Sequence, residues 1–177
     1  MIIVRHTKWC VITGAPCSGK TSVIRELERR GFKVVHEAAR ACIDRELKNG
    51  KTMASIKADV PAFERRILHE KVRVESLLPD RETIFLDRAV PDSIAYYKLE
   101  GLPPDEVMAK SSMVRYRKIF FFERLRFKKD EIRTEDTAGA ARIGRELENV
   151  YRGLGYALLR VPIMPVRERA DFILKHL

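Results

Sequence analysis

The feature that most constrains this chain is a glycine-rich segment that begins at Gly14 and ends at Thr21. It meets the pattern G-x-x-x-x-G-K-[ST] in full, with an apolar run over residues 9–13 before it and an amphipathic run after it. Glycines let backbone N–H groups converge on an anion without a side chain in the way, and a helix that begins near Lys20 adds its positive end. The segment therefore predicts a strand, a phosphate-binding loop and a helix, in that order.

The polar side chains of this loop have expected roles. Lys20 is expected to reach the β and γ phosphates of ATP or GTP, and the Thr21 hydroxyl is expected to bind Mg²⁺. At Cys17 a spacer position is favoured over a redox-sensitive one. The predicted nucleotide-binding residues of the loop are Gly14, Ala15, Pro16, Cys17, Ser18, Gly19, Lys20, Thr21 and Ser22.

Length and composition fit one globular domain over residues 1–177. The chain is 45% hydrophobic and 34% charged, which is typical of a folded protein. It has no apolar run long enough to span a membrane and no secretory signal pattern, so a cytoplasmic protein is expected. The three scattered cysteines indicate reduced thiols, with neither a disulfide framework nor a zinc site. The net charge of +10 admits nucleotides, nucleic acid and anionic membranes as partners.

Apolar runs alternate with helical periodicity along the chain. This alternation predicts an α/β fold, with a parallel sheet covered by helices on both faces. Because ligands of such sheets bind at the carboxyl ends of the strands, chemistry is expected after Thr13, His36, Asp87 and Phe122. Residues 51–60 show no clear pattern. Predicted strands cover residues 9–13, 32–36, 83–86, 118–122 and 156–161, and predicted helices cover residues 21–30, 37–48, 61–78, 91–99, 105–112, 135–154 and 166–177.

Candidate catalytic residues follow the second and third predicted strands. Asp87 ends an apolar strand, where it is expected to complete the Mg²⁺ shell opposite Thr21; the alternative is an ordinary helix-capping aspartate. Arg88 is placed either to clamp phosphate oxygens or to form a surface ion pair. Glu37 is a candidate general base for a substrate hydroxyl, and the alternative is a helix-start acid favoured by the helix dipole. Arg40 lies one helical turn after Glu37.

A basic segment after the fourth predicted strand suggests a lid over the phosphates, at about residues 124–134. Cations there would stabilise charge on a transferring phosphoryl group, and Arg124, Arg126 and Arg133 are the best candidates. The alternatives are a solvated loop or a patch for RNA or acidic lipid. Aromatic residues do not interleave with these cations as a single-strand nucleic-acid platform requires.

The chain resembles the AAA-like P-loop domain family that includes the nicotinamide riboside kinase domain of NadR, from about Trp9 to the C-terminus. The residues that carry the resemblance are Gly14 to Thr21, Gly31-Phe32 followed by His36-Glu37-Ala38-Ala39-Arg40, Leu86-Asp87-Arg88 with Pro91-Asp92 and Tyr96-Tyr97, and Arg133-Thr134-Glu135-Asp136 with Val150-Tyr151 and Gly155-Tyr156. The resemblance implies a three-layer, kinase-like fold with a five-stranded parallel sheet in the order 2-3-1-4-5. It also implies ATP or GTP with Mg²⁺, an acceptor pocket near Glu37, Arg88 and Asp92, and a lid that carries Arg133.

Two functions of different classes are consistent with these residues. The first is a small-molecule kinase, with Lys20, Glu37, Asp87, Arg88 and Arg133 in catalysis and a nucleoside-like or other small acceptor held by Glu37, Arg40, Arg88 and Asp92. The second is a nucleotide-binding switch or NTPase that contacts RNA, lipid or protein through a basic surface. The chain lacks the guanine-reading Asn-Lys-x-Asp motif, which counts against a Ras-like switch. A third function, nucleic-acid processing, is supported only by the net charge.

Overall fold

The computed structural model describes residues 4–124 and 137–177. In chain order its strands are β1 (Arg5–His6), β2 (Cys10–Gly14), β3 (Lys33–Val35), β4 (Ile84–Asp87), β5 (Val114–Arg115), β6 (Lys118–Phe122) and β7 (Leu158–Val161). Its helices are α1 (Lys20–Arg29), α2 (Ala38–Lys48), α3 (Met53–Lys57), α4 (Val60–Leu77), α5 (Asp92–Leu99), α6 (Asp105–Ser111), α7 (Thr137–Gly153) and α8 (Val166–Lys175).

The central sheet is parallel and has the strand order β3-β4-β2-β6-β7. Counted within this sheet alone, that order is 2-3-1-4-5, so the predicted topology is confirmed. The middle strand, β2, is buried at every position. Its register places Ile12 opposite Asp87 on one side and Gly14 opposite Phe122 on the other. The carboxyl ends of β4, β2 and β6 therefore meet at one edge, where the phosphate-binding loop begins.

Helices cover both faces of this sheet because its strands are apolar on both sides. One core contains Ile12, Phe120 and Phe122 under α1 and α8. On the other face, side chains such as Val11 and Phe121 pack beneath the layer formed by α4, α5 and α7. The helices α2 and α3 in turn pack against α4. This arrangement is the three-layer α/β architecture that the sequence predicts.

The segment with no clear sequence pattern, residues 51–60, contains the short helix α3. The helix starts in a capping box, in which the Ser55 N–H donates to Thr52 Oγ1 at 3.2 Å and the Thr52 N–H donates to Ser55 Oγ at 3.0 Å. Asp59 then caps α4 by accepting from the Ala62 N–H at 2.9 Å. Because two helices start within these ten residues, the segment is too short to show the helical repeat of apolar residues. This explains why no pattern is visible in the sequence.

A second, two-stranded parallel sheet pairs β1 with β5 and was not predicted. Each of its strands has only two residues, too few to show an alternating pattern. The predicted lid lies largely in residues 125–136, so Arg126 and Arg133 are outside the described residues. That residues 1–177 form one domain stays a prediction. Among residues 4–124 and 137–177, no helix has both the length and the apolar character needed to cross a membrane.

Candidate functional site

The loop between β2 and α1 is shaped by three residues with positive φ. At Gly14 (φ 134°) a Cβ atom would lie 2.5 Å from the Phe122 carbonyl oxygen, so the close approach of β6 requires glycine. Cys17 (φ 58°) and Gly19 (φ 84°) then adopt left-handed conformations. A backbone that passes through left-handed residues turns successive N–H groups to one side and can form a concavity for an anion. The loop is therefore curled, as an anion cradle requires, and not extended.

The first turn of α1 follows this loop directly. Gly19 is the residue before the helix, and no side chain of the described residues caps the turn. The turn also carries no acidic residue. Its backbone N–H groups and the positive end of the helix dipole are therefore available to a phosphate.

Lys20 folds back over the loop that precedes it. Its Nζ donates to the carbonyl oxygens of Gly14 at 3.1 Å and Ala15 at 2.8 Å, and to Ser18 Oγ at 3.1 Å. Burial lowers the pKa of Lys20 to about 7, with a further contribution from Arg88, while Asp87 and Glu37 oppose that change. An anion held by the loop would favour the charged form of this lysine.

Two residues that sequence reasoning missed support the loop from outside. The Arg169 guanidinium, from α8, donates through Nη1 to the Ser18 carbonyl oxygen at 2.8 Å. On the other side, Gly144 of α7 faces Ala15, and a Cβ atom at Gly144 would lie 3.2 Å from the Ala15 Cβ. Both contacts join residues that are far apart in the sequence. The sequence itself shows only a glycine on one helix and an arginine on another, and neither feature points to the loop.

Asp87, at the end of β4, carries a buried oxygen that fits a cation site. Asp87 Oδ1 has no hydrogen-bond donor among the described residues, although an unpaired buried oxygen is costly. Burial raises the pKa of Asp87 to about 6, and the neighbouring Glu37 carboxylate adds to the rise. Asp87 and the exposed Thr21 line the same cavity.

The donor set at this position suits magnesium. No group of three or more His, Cys, Asp or Glu side chains forms a metal cage within the described parts of the chain. Mg²⁺ is usually held by one or two carboxylates together with substrate phosphates and water. One carboxylate, Asp87, and one hydroxyl, Thr21, therefore fit a magnesium ion that arrives with a nucleotide.

Arg88 adopts a left-handed backbone conformation (φ 66°), which costs about 1–2 kcal/mol for a residue other than glycine. Its N–H donates to the Ile12 carbonyl oxygen at 3.1 Å. The guanidinium donates through Nε to Glu37 Oε1 at 2.9 Å and through Nη1 to Asp92 Oδ1 at 3.1 Å, and it lies 5.6 Å from the centre of the Tyr96 ring. The side chain is therefore fixed at the junction of β4 and α5.

The Asp92 carboxylate is fully buried and joins several elements. Thr13 Oγ1 and Arg88 Nη1 donate to Oδ1 at 2.6 Å and 3.1 Å. The Ala89 N–H and the Tyr151 hydroxyl donate to Oδ2 at 3.0 Å and 2.6 Å. Although burial alone would raise it, the pKa of Asp92 is lowered, chiefly by Arg88 and Lys71. With four donors and no exposure, this side chain orients its neighbours and lines neither of the two cavities beside it, unlike the substrate-binding position that the sequence predicts.

Two cavities open beside these residues. The phosphate-loop cavity, of about 700 Å³, is lined by Thr21, Arg25, Glu37, Arg40 and Asp87 among others. The α4 cavity, of about 280 Å³, is lined by Glu37, Phe63, Glu64, Lys71, Arg88 and Tyr96 among others. The half-buried Glu37 lines both cavities and therefore lies between them.

The remaining predicted residues are dispersed. Arg40 is exposed, donates to Asp44 Oδ1 at 3.1 Å and lines the phosphate-loop cavity, not the α4 cavity. Arg124 is partly exposed just after β6, at the last described position before the gap. Thr13, Tyr151, Glu64 and Lys71 were not predicted as site residues, although Glu64 and Lys71 are charged positions on the buried face of α4 that carries Phe63 and Ile67.

Comparisons with known proteins agree with this architecture. A family model described as an AAA domain (AAA_28) matches residues 9–169. Comparison with curated protein sequences gives no significant match.

Many solved structures are similar to this chain, and three of them illustrate the likeness. One is the NadR protein in complex with NR, with a TM-score of 0.67 and 16% identity over 96% of this chain and 51% of that one. Another is deoxyadenosine kinase from M. mycoides, with a TM-score of 0.67 and 12% identity over 95% of this chain and 97% of that one. Thymidylate kinase from Candida albicans has a TM-score of 0.66 and 14% identity over 96% of this chain and 90% of that one. The chain spans about half the length of the NadR chain, and at these identities the likeness shows the fold.

Proposed function

Since the chain belongs to the AAA domain family matched over residues 9–169, we propose that it is a P-loop kinase for a small metabolite. The γ-phosphoryl group of MgATP or MgGTP passes to a hydroxyl of a nucleoside-like or other small acceptor. The structures that share its fold include a deoxyadenosine kinase and a thymidylate kinase, which supports an acceptor of that class. A fold alone does not determine a function, so the proposal depends on the residues of the site.

The observation that carries this proposal is the position of Glu37 between the two cavities. On one side it faces the cavity of Thr21 and Asp87, and on the other it faces the α4 cavity, where Arg88 holds its Oε1 at 2.9 Å. A general base must lie within hydrogen-bond reach of the acceptor hydroxyl, and that hydroxyl must in turn lie in line with the γ-phosphoryl group of the donor. Glu37 is the carboxylate of the site that is open to both cavities, so we assign it the acceptance of the hydroxyl proton.

The donor side is assigned to the phosphate loop. The curled backbone, the first turn of α1 and the Lys20 ammonium hold the phosphates, while Thr21 and Asp87 are placed to hold Mg²⁺. When bound, MgATP or MgGTP supplies the transferable phosphoryl group and the cation that offsets its charge. Transfer of this kind depends on positioning and electrostatics, so the chain needs no covalent nucleophile.

The acceptor side is assigned to the α4 cavity. Its volume of about 280 Å³ is close to the lower limit for small-molecule pockets. Arg88 presents its guanidinium to this cavity beside Glu37, where it can hold the acceptor oxygen and offset developing charge. Asp92 acts on the acceptor indirectly, by holding Arg88 in place. A lid with Arg124, Arg126 or Arg133 remains part of the proposal.

The proposal is tested by a screen of nucleosides and other hydroxyl-bearing metabolites with labelled ATP and labelled GTP. We expect a phosphorylated product from a narrow set of acceptors in the wild-type protein and none from the Lys20→Ala protein prepared in the same way. Tight nucleotide retention with no product from any acceptor would contradict the kinase and favour a nucleotide-binding switch.

A further inference from the structure

The Glu64 carboxyl is a buried acid that the proposed phosphoryl transfer does not use. It lies on α4 with only 7% of its surface exposed, and it lines the α4 cavity between Phe63 and Ile67. No hydrogen bond or ion pair to this carboxyl is found among residues 4–124 and 137–177. Burial raises the pKa of Glu64, and Lys71 opposes the rise. Because this carboxyl lines the cavity and has no donor among those residues, its oxygens are free to accept hydrogen bonds from a ligand.

The α4 cavity has two chemically different ends. One end is marked by Lys71, which follows Glu64 by seven residues and lies about 10 Å further along the helix axis. Lys71 donates to Ser93 Oγ at 2.9 Å and lies in the electrostatic field of Arg88 and Glu37. This end therefore adjoins the proposed site of phosphoryl transfer. At the other end, Glu64 is within the field of a second carboxylate, Glu100, which also lines the cavity.

The acidic end is unusual for this chain, whose net charge is +10. Among the described residues no cation forms an ion pair with Glu64 or Glu100, whereas the Arg88 guanidinium at the opposite end is paired with two carboxylates. Aromatic side chains, Phe63 and Tyr96, also line this cavity. The cavity thus offers apolar walls for a flat ring and, at its outer end, acceptors that require N–H donors.

We propose that Glu64 selects, among acceptors of the proposed kinase, those whose ring carries an exocyclic amino group at the end remote from the phosphorylated hydroxyl. The amino group donates to the carboxylate. A carbonyl at the same position presents lone pairs to the carboxylate, so these two groups form no hydrogen bond with each other. Adenosine and cytidine therefore bind more tightly than their oxo counterparts, inosine and uridine. This inference rests on the proposed function of the α4 cavity as the acceptor site.

The test compares these two pairs of nucleosides at pH 8 with the wild-type protein and with Glu64→Gln. We expect kcat/KM to favour the amino member of at least one pair by about tenfold or more in the wild type. In Glu64→Gln the preference falls to within about threefold, because an amide side chain both donates and accepts. Arg65→Gln is the matched control, since Arg65 is the next residue on α4 and is exposed, and it should keep the wild-type ratio.

Thermal unfolding of each variant separates specificity from folding, because a merely structural role of Glu64 would move stability and leave the substrate ratio unchanged. An unchanged ratio in Glu64→Gln, or a wild-type preference for the oxo members, overturns the inference.

Calorimetric binding of the four nucleosides separates a failure of this inference from a failure of the proposed function. A binding preference for the amino members without any product keeps the role of Glu64 and contradicts the kinase. Equal product from all four keeps the kinase and overturns the role of Glu64. No binding of any of the four overturns the role of Glu64, while the kinase is still decided by the wider acceptor screen.

Discussion

The phosphate loop and the cluster around Arg88, the two halves of the proposed site, are built in different ways. The loop is a contiguous stretch, Gly14 to Thr21, and its geometry comes from backbone conformation and a neighbouring strand. The cluster consists of side chains from distant positions, with Glu37, Arg88, Asp92 and Tyr151 joined by hydrogen bonds. A contiguous site depends on local conformation, whereas an assembled site depends on the packing of the whole domain.

The largest difference between the halves should appear with Glu37→Gln. We expect this change to lower phosphoryl transfer by about 10²–10⁴-fold, because an amide cannot accept the proton of the acceptor hydroxyl. Nucleotide binding should stay within a few-fold of wild type, since the phosphate loop is intact. Single-turnover rates and nucleotide titrations measure the two effects, with the exposed Glu82→Gln as control. Wild-type transfer in Glu37→Gln would remove this residue as the base.

Lys20→Ala tests the other half. We expect nucleotide affinity to fall by about 10²–10³-fold, the scale of losing a preorganised donor in a buried site. The same change leaves the carbonyl oxygens of Gly14 and Ala15 without the ammonium that now binds them. Calorimetry measures the nucleotide affinity of this variant, and the surface change Lys33→Ala is the control. Unchanged affinity would refute the assignment of the phosphate loop.

The interior next to the cluster should also respond to pH through Glu75. This carboxyl accepts from the Tyr116 hydroxyl and the Val90 N–H, and burial raises its pKa to about 7 from an ordinary value of 4.5. Between those values the folded protein binds more protons than the unfolded one, so the free energy of unfolding falls as pH rises from about 4.5 to 7. Glu75→Gln should remove on the order of 2–3 kcal/mol of this dependence.

Denaturant unfolding of the nucleotide-free protein at pH 5 and pH 8 measures that contribution. The exposed Glu106→Gln should leave the wild-type pH dependence in place. If Glu75→Gln unfolds with the same pH dependence as wild type, the buried carboxyl is ionised throughout this range and the prediction is wrong. Nucleotide affinity should be the same in Glu75→Gln as in the wild type, because the change lies next to the cluster and not in the phosphate loop.

The smallest effect is expected for Gly144→Ala. The added Cβ would lie 3.2 Å from the Ala15 Cβ, so the loop must shift slightly, and we expect nucleotide affinity to fall between about two- and tenfold. Helix propensity opposes any loss of stability, because alanine is favoured over glycine by about 1 kcal/mol within a helix. Gly153→Ala is the matched control, since nothing lies within 4 Å of its added Cβ. Equal affinities in both variants would show that α7 does not support the loop.

The same contrast explains how much could be predicted from the sequence. The parallel sheet and the loop were predictable, because alternating apolar runs and one contiguous motif carry them, whereas the strand order followed only from the resemblance to a known family. The neighbourhood of Glu37 and Arg88 followed from the position of both at strand ends. Thr13, Tyr151 and Arg169 were missed because their roles are hydrogen bonds across the fold, and no pattern along the chain encodes those. The exception is α4, where a charged Glu64 on an apolar face was a signal that could have been used.

The buried carboxylate of Asp92 has a consequence for how the two substrates would influence each other. It accepts one hydrogen bond from Thr13, the residue just before the loop, and another from Arg88, which lines the α4 cavity. A rearrangement of the loop on binding of one substrate would therefore change the support of the guanidinium that meets the other. Thermodynamic linkage then requires the affinities of donor and acceptor to depend on each other by the same factor in both directions.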